Sequence, residues 1–146
     1  MNGSQYLDRI LHTPFSHNDT NGTDGCRFVA EVMIKSCGIQ FPLGQNVYDA
    51  MGKYQYFSHW TPLGDDFSEA QRRANDGMQV IVLTRDAAAI VTPNGGNSIA
   101  GLGDVLVSMD GPSGIVYQVM LADCWPSEQC RQAVFFYYNP AHGMRI

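Results

Sequence analysis

The stretch Thr23-Asp24-Gly25-Cys26-Arg27-Phe28-Val29 decides how the chain is read. Before it lies a polar, turn-forming loop, Ser16-His17-Asn18-Asp19-Thr20-Asn21-Gly22. After it, Phe28, Val29, Val32, Met33 and Cys37 recur at helical spacing, and Gly38 supplies a stop. Thr23 or Asp24 can cap this helix, which leaves Cys26 in or beside its first turn. Unpaired backbone N–H groups and the positive end of the helix dipole lie there, and both favour thiolate over thiol. Cys26 is therefore a candidate nucleophile. The alternative is a structural cysteine near a helix start, since a lone cysteine is a weak motif.

Working outward, Tyr6 to His12 reads as a short opening helix with Leu7, Ile10 and Leu11 on one face. Beyond Gly38, a connector to Gly44 leads to a second short helix, Gln45 to Met51. Lys53 to Leu63 is aromatic and irregular. Asp66 to Ala74 reads as a helix capped by Asp65 or Asp66 and ended by Asn75-Asp76-Gly77. Then the pattern changes. Met78–Thr84, Ala87–Thr92, Asp104–Met109, Ile115–Leu121 and Ala133–Tyr138 read as strands, separated by turns such as Pro93-Asn94-Gly95-Gly96 and Asp110-Gly111-Pro112-Ser113-Gly114. Helices first and a meandering antiparallel sheet second indicate an α+β fold, with the cysteine helix packed on the sheet.

The chain has 146 residues, enough for one domain, 1–146, with a good core. It is 45% apolar and 16% charged, with 15 glycines, which suits a loop-rich globular domain. The net charge of -5 and the lack of a basic stripe argue against nucleic acid as a partner. No apolar run reaches the length of a membrane span, and the first residues lack the pattern of a secretory signal. The four cysteines are not equivalent. Cys124 and Cys130 bracket a short polar loop that a disulfide could close, with two free thiols as the alternative. Cys37 falls on the apolar side of the Cys26 helix, roughly 16 Å along the axis from Cys26, so these two cannot pair. No Cys/His cluster suggests zinc, and no metal or cofactor is expected.

The order of these elements resembles the papain-like NlpC-type cysteine peptidases. In detail it is most similar to the first family of type VI secretion amidase effectors, small toxins that cut peptide crosslinks in rival cell walls. Asp24-Gly25-Cys26-Arg27-Phe28-Val29 resembles the family's nucleophile helix, with one residue fewer between Cys and Phe. Phe41-Pro42-Leu43-Gly44 resembles its Pro-x-Gly connector. Trp60-Thr61-Pro62-Leu63, the Ala-containing helix after it and Met78-Gln79-Val80-Ile81-Val82 resemble the segment that leads into the first core strand. Asn97-Ser98-Ile99-Ala100-Gly101 echoes a Gly-Ser-Ile-Ala-Gly stretch.

The resemblance implies a peptidoglycan amidase. Cys26 would attack an amide carbonyl of a stem peptide or crosslink, and no cofactor would be required. It implies a wall-peptide substrate, a cognate immunity protein as partner, and delivery by a secretion system to the periplasm of target bacteria, without membrane insertion. The departure is as informative. The family's strand reads Gly-His-x-Ala-x-Val with the histidine as base, whereas this chain has Asp86-Ala87-Ala88-Ala89-Ile90-Val91. Position 87 is expected to hold the base and holds alanine. A His→Ala knockout of an active enzyme and a natural pseudoenzyme both account for this. The intact surroundings favour the knockout.

None of the four histidines, His12, His17, His59 and His142, matches a family position. Asn97, with Asn94 and Ser98 behind it, is a candidate for the residue that orients the base. Asp86 adjoins position 87, but alternation turns it away. Arg27 or Arg85 could bind a substrate carboxylate, the alternative being a solvated surface charge. A non-catalytic module that binds a wall peptide or a partner protein is the rival reading. A cysteine hydrolase or acyltransferase unrelated to cell walls is a third.

Overall fold

The apolar face read from the Cys26 segment is buried: Phe28, Val29, Val32 and Met33 are fully inaccessible. The computed structural model describes residues 2–14, 24–39, 59–85, 87–111 and 114–139, and of residues 24–26 the backbone alone. The expected helix at Gln45–Met51, the Phe41–Gly44 connector, Thr23, Asp86, His17 and His142 lie outside the described residues.

Helix α1 spans Gly3–His12 and is closed by a capping box between Asn2 and Gln5. Helix α2 spans Asp24–Val32 and continues as a π-helical turn, Met33–Cys37. One continuous α-helix was the expectation. The widening accompanies a hydrogen bond from the Ser36 hydroxyl to the Val32 carbonyl, a side-chain competitor for the helical ladder. Gly38 then ends the element with φ of 68°, a left-handed cap that glycine adopts without strain. Helix α3 is Phe67–Asn75, and Asp66, one of the two expected caps, accepts from the Glu69 amide. Two single-turn helices follow late in the chain, α4 at Leu121–Cys124 and α5 at Ser127–Cys130.

The six strands are β1 (Trp60–Gly64), β2 (Val80–Leu83), β3 (Ala88–Val91), β4 (Leu106–Gly111), β5 (Gly114–Met120) and β6 (Val134–Tyr138). They form one antiparallel sheet in the order β1-β6-β2-β3-β4-β5. The expected meander holds for β2 to β5. It fails for β6, which returns past three strands and inserts between β1 and β2. Its run of five residues, four of them buried, suits that central place. β1 was not expected, because Trp60-Thr61-Pro62 alternates poorly. Pro62 is tolerated because β1 is an edge strand, where a missing N–H costs nothing.

Along β2, β3 and β6 both sheet faces are buried. Val80, Val82, Ala89, Val91 and Phe135 form one face, and Ile81, Leu83, Ile90 and Phe136 the other. Helix α2 packs across β3 and β4, while α3 packs across β6, β2 and β3. The whole is α+β, and among the described residues no helix is long and apolar enough to cross a membrane.

One side chain pins α3 to the sheet. Gln71 is 3% exposed; its Nε2 donates to the Thr92 carbonyl at 2.9 Å, and its Oε1 accepts from the Leu106 amide at 2.9 Å. Gln71→Ala would strip a partner from each of these backbone groups. The expected cost is about 2–4 kcal/mol, read as a lower urea midpoint at unchanged slope. A loss below about 0.5 kcal/mol would show that Gln71 does not bear this role.

Candidate functional site

Cys26 falls in the first turn of α2, where backbone N–H groups lack helical acceptors. Its side chain lies outside the described residues, but the course of α2 is fixed at its other end. Cys37 Sγ lies 3.9 Å from Nε2 of Gln79, the residue just before β2. From Cys37 back to Cys26 the helix covers roughly 16 Å. Helix α2 therefore runs across the strands rather than along them, from Gln79 beside β2 at its far end, over β3 and β4, toward β5 at its start. Phe28, two residues after Cys26, packs edge-on to Tyr117 of β5 at 6.4 Å.

Residue 87 belongs to that turn. The Ala87 amide donates to Thr84 Oγ1 at 3.1 Å, and its carbonyl accepts from the Thr84 amide at 2.9 Å. It is half-buried, immediately before β3, where the strand reading placed it. Arg85, in the same turn, is exposed. Arg27 is engaged by Glu31 at 3.4 Å, one helical turn along.

The residue that the sequence reading missed is Asp110. Its segment was read as a turn, but Asp110 belongs to β4, pairs with Ile115 and is 5% exposed. Continuing the Ile90–Ser108 and Val91–Val107 register sets Ala88 opposite Asp110 and residue 87 opposite Gly111. Asp110 shares a face with Ile115 and thus with Tyr117, on which Phe28 of α2 rests. Ala88 and Asp110 thus share the face on which α2 packs, whereas residue 87, paired with Thr84 across the turn, is turned by alternation to the other face with Ala89 and Val91. The available signal for Asp110 was its alternation with Val107, Ser108 and Met109, which extends the strand past Met109.

Asn97 is a correction. It is exposed and lies beyond the other end of β3, in the loop after Thr92. The chain from Ala87 to Asn94 is nearly all extended, roughly 20 Å or more. Asn97 and Ser98 are thus not brought to position 87. Asn94 is consumed by structure: its Oδ1 accepts from Asn75 Nδ2 and the Gly96 amide, and its Nδ2 donates to the Asn97 carbonyl.

The two described histidines, His59 and His12, are elsewhere too. His59 precedes β1, with its carbonyl bound by the Asn139 amide and its ring edge-on to Tyr138 at 5.7 Å. That is the end of the sheet where β2 begins, opposite the β2–β3 turn. His12 is exposed and paired with Asp8 on its own helix.

The Cys124–Cys130 bridge is a second correction: both are free thiols, as is Cys37. Each ends a separate short helix, and Cys130 Sγ is turned to the Trp125 carbonyl at 3.5 Å. Burial pushes the pKa of both above the ordinary thiol value, for Cys124 with added repulsion from Asp123 and Cys130. Among the described residues no cluster of His, Cys, Asp and Glu could hold a metal.

Compared with protein-family models and with curated proteins, the chain matches none.

Thiol labelling tests this division. Cys124 and Cys130, held protonated by burial, should react slowly with iodoacetamide at neutral pH and faster only as the pH passes the ordinary thiol range. Cys26, at a helix start, should react first. Peptide mass spectrometry after a pulse of label reads each site, and Cys26 labelling no faster than Cys37 would remove it as a nucleophile.

Proposed function

We propose that the protein is a papain-like, NlpC-type cysteine amidase that cleaves an amide bond in peptidoglycan stem peptides, with its base replaced by alanine at position 87. The observation that supports this most is that Cys26 lies in the first turn of a helix packed over β3 and β4, and that residue 87 opens β3 from the β2–β3 turn. A cysteine hydrolase needs a thiol at a helix start, a base within reach and a group that orients the base.

In the proposed reaction an imidazole at position 87 takes the Cys26 proton. The thiolate attacks the amide carbonyl carbon, and the Cys26 backbone N–H helps hold the oxyanion. The imidazolium then protonates the leaving amine as the C–N bond breaks. Water, deprotonated by the same ring, hydrolyses the thioester. Exposed Arg85 in the turn would meet a stem-peptide carboxylate. The same reading proposes an antibacterial effector delivered to the periplasm, and an immunity protein that covers this end of the molecule.

Alanine at position 87 favours a second reading, a module that binds a wall peptide or partner without cleaving it.

Restoring the base separates the two. Ala87→His should generate amidase activity on purified peptidoglycan, about 10²–10⁴-fold above the unchanged protein by chromatography of released fragments. Adding Cys26→Ala should abolish it. Ala88→His is the register control. Ala88 is fully buried, so a ring there should overpack the core rather than serve as base. A folded Ala87→His protein with no activity on any wall fragment would leave the binding module as the reading.

A further inference from the structure

At the opposite end of the sheet, α1 and the loop after β3 enclose a cleft of about 620 Å³. That volume lies within the range of small-ligand sites. Every residue that lines it is uncharged, in a chain with 9 basic and 14 acidic residues. Its polar wall is carboxamide, hydroxyl and backbone, and its apolar part is Leu7, Pro93 and Leu106.

The walls are braced. Gly3 lies so close to the Asn75 carbonyl that a Cβ there would come within 2.1 Å of the oxygen. The Asn94 amide donates to Asn75 Oδ1 at 2.8 Å, and Asn75 in turn accepts from Gln71. Two polar side chains are left over. The Ser4 hydroxyl and the exposed Gln118 carboxamide make no hydrogen bond among the described residues. Gln118 also has φ of 54° at a β-bulge, which sets its direction away from the regular pleat.

We infer that this cleft binds a neutral, N-acetylated sugar chain. A charged ligand would find no counter-charge there, and a stem peptide brings free carboxylates. Sugar hydroxyls and acetamides both donate and accept, which suits Ser4, Gln118 and the backbone, while the C–H face of a ring suits Leu7, Pro93 and Leu106. Read together with the proposed wall amidase, on which the identity of the polymer rests, the chain is the glycan backbone of peptidoglycan. The cleft and residue 87 are separated by the length of β3 and the start of its following loop, roughly 20 Å or more. Five to seven extended peptide residues span that distance. Glycan held at one end would leave a stem peptide free to reach the other.

The test uses the protein unchanged, titrated with the N-acetylglucosamine tetramer and followed by amide chemical shifts. Saturable shifts at Ser4, Gly95, Gly96 and Gln118 are expected. Gln118→Ala should weaken binding about 5-fold, as for one lost hydrogen bond. Ser4→Trp, on the exposed start of α1, should fill the cleft and abolish binding; should it fail to fold, Gln118→Ala still decides. No saturable shift, binding that survives both substitutions, or preference for a capped tetra-alanine peptide would each overturn the inference. Activity of Ala87→His on stem peptide freed of glycan is measured alongside. Activity without sugar binding removes the cleft and leaves the amidase; sugar binding without activity does the reverse.

Discussion

The carboxamide of Gln71 is the joint on which the lower half of the molecule turns. It is buried with both ends used, one on Thr92 and one on Leu106. Those two backbone groups sit where β3 ends and β4 begins, so one side chain sets the height of α3 over both strands. From Gln71 the chain of contacts runs to Asn75, then Asn94, then the Gly96 amide and the Asn97 carbonyl. Each link is a modest hydrogen bond; those of Gln71 lie inside, where an unmade one is costly, while those to Gly96 and Asn97 face solvent. The loop after β3 is thereby tied back to α3.

That joint also separates the two ends of the sheet. α3 and α1 crowd the end where β2 begins, with the Tyr6 hydroxyl accepting from the Val80 amide. Burial there pushes the Tyr6 hydroxyl far above the usual phenol range, so it remains a neutral donor and acceptor inside the core. The other end carries the β2–β3 turn and Asp110. The long α2 element crosses β3 and β4 between them, and its π-helical end, Gly38 and Cys37 anchor it by Gln79. Placement of Cys26 thus depends on contacts some 16 Å away from it.

Much of this was legible because the strongest patterns were long. The apolar run of β2, the 3.6-residue spacing after Cys26 and the Asp66 cap all point to one answer without tertiary help. What was not legible depended on partners. Trp60–Gly64 becomes a strand only because β6 lies beside it. Asp110 looks like a turn former because Gly and Pro follow it, yet β5 holds it in register. Cys124 and Cys130 have a spacing that allows a bridge, but sequence does not say which way each sulfur turns. Asn97 was chosen for its chemistry, and only the length of β3 shows it to be at the wrong end.

Magnitudes explain why the proposed base would weigh so heavily in the amidase reading. A helix start favours a thiolate by about 0.3–1 kcal/mol, which is less than one pKa unit. A thiol of ordinary pKa, about 8.5, needs a shift of some 1.5 units to be even half ionised at neutral pH, or about 2 kcal/mol. The backbone of α2 can therefore ready Cys26 but not finish the task; an imidazolium beside it could supply the remainder. Nor can any backbone dipole hand a proton to a leaving amine. Substrate recognition, by contrast, needs no ring at position 87. The two proposed readings, amidase and binding module, would thus differ by one proton carrier, so that a substitution at a single residue, rather than a change of fold, would divide them.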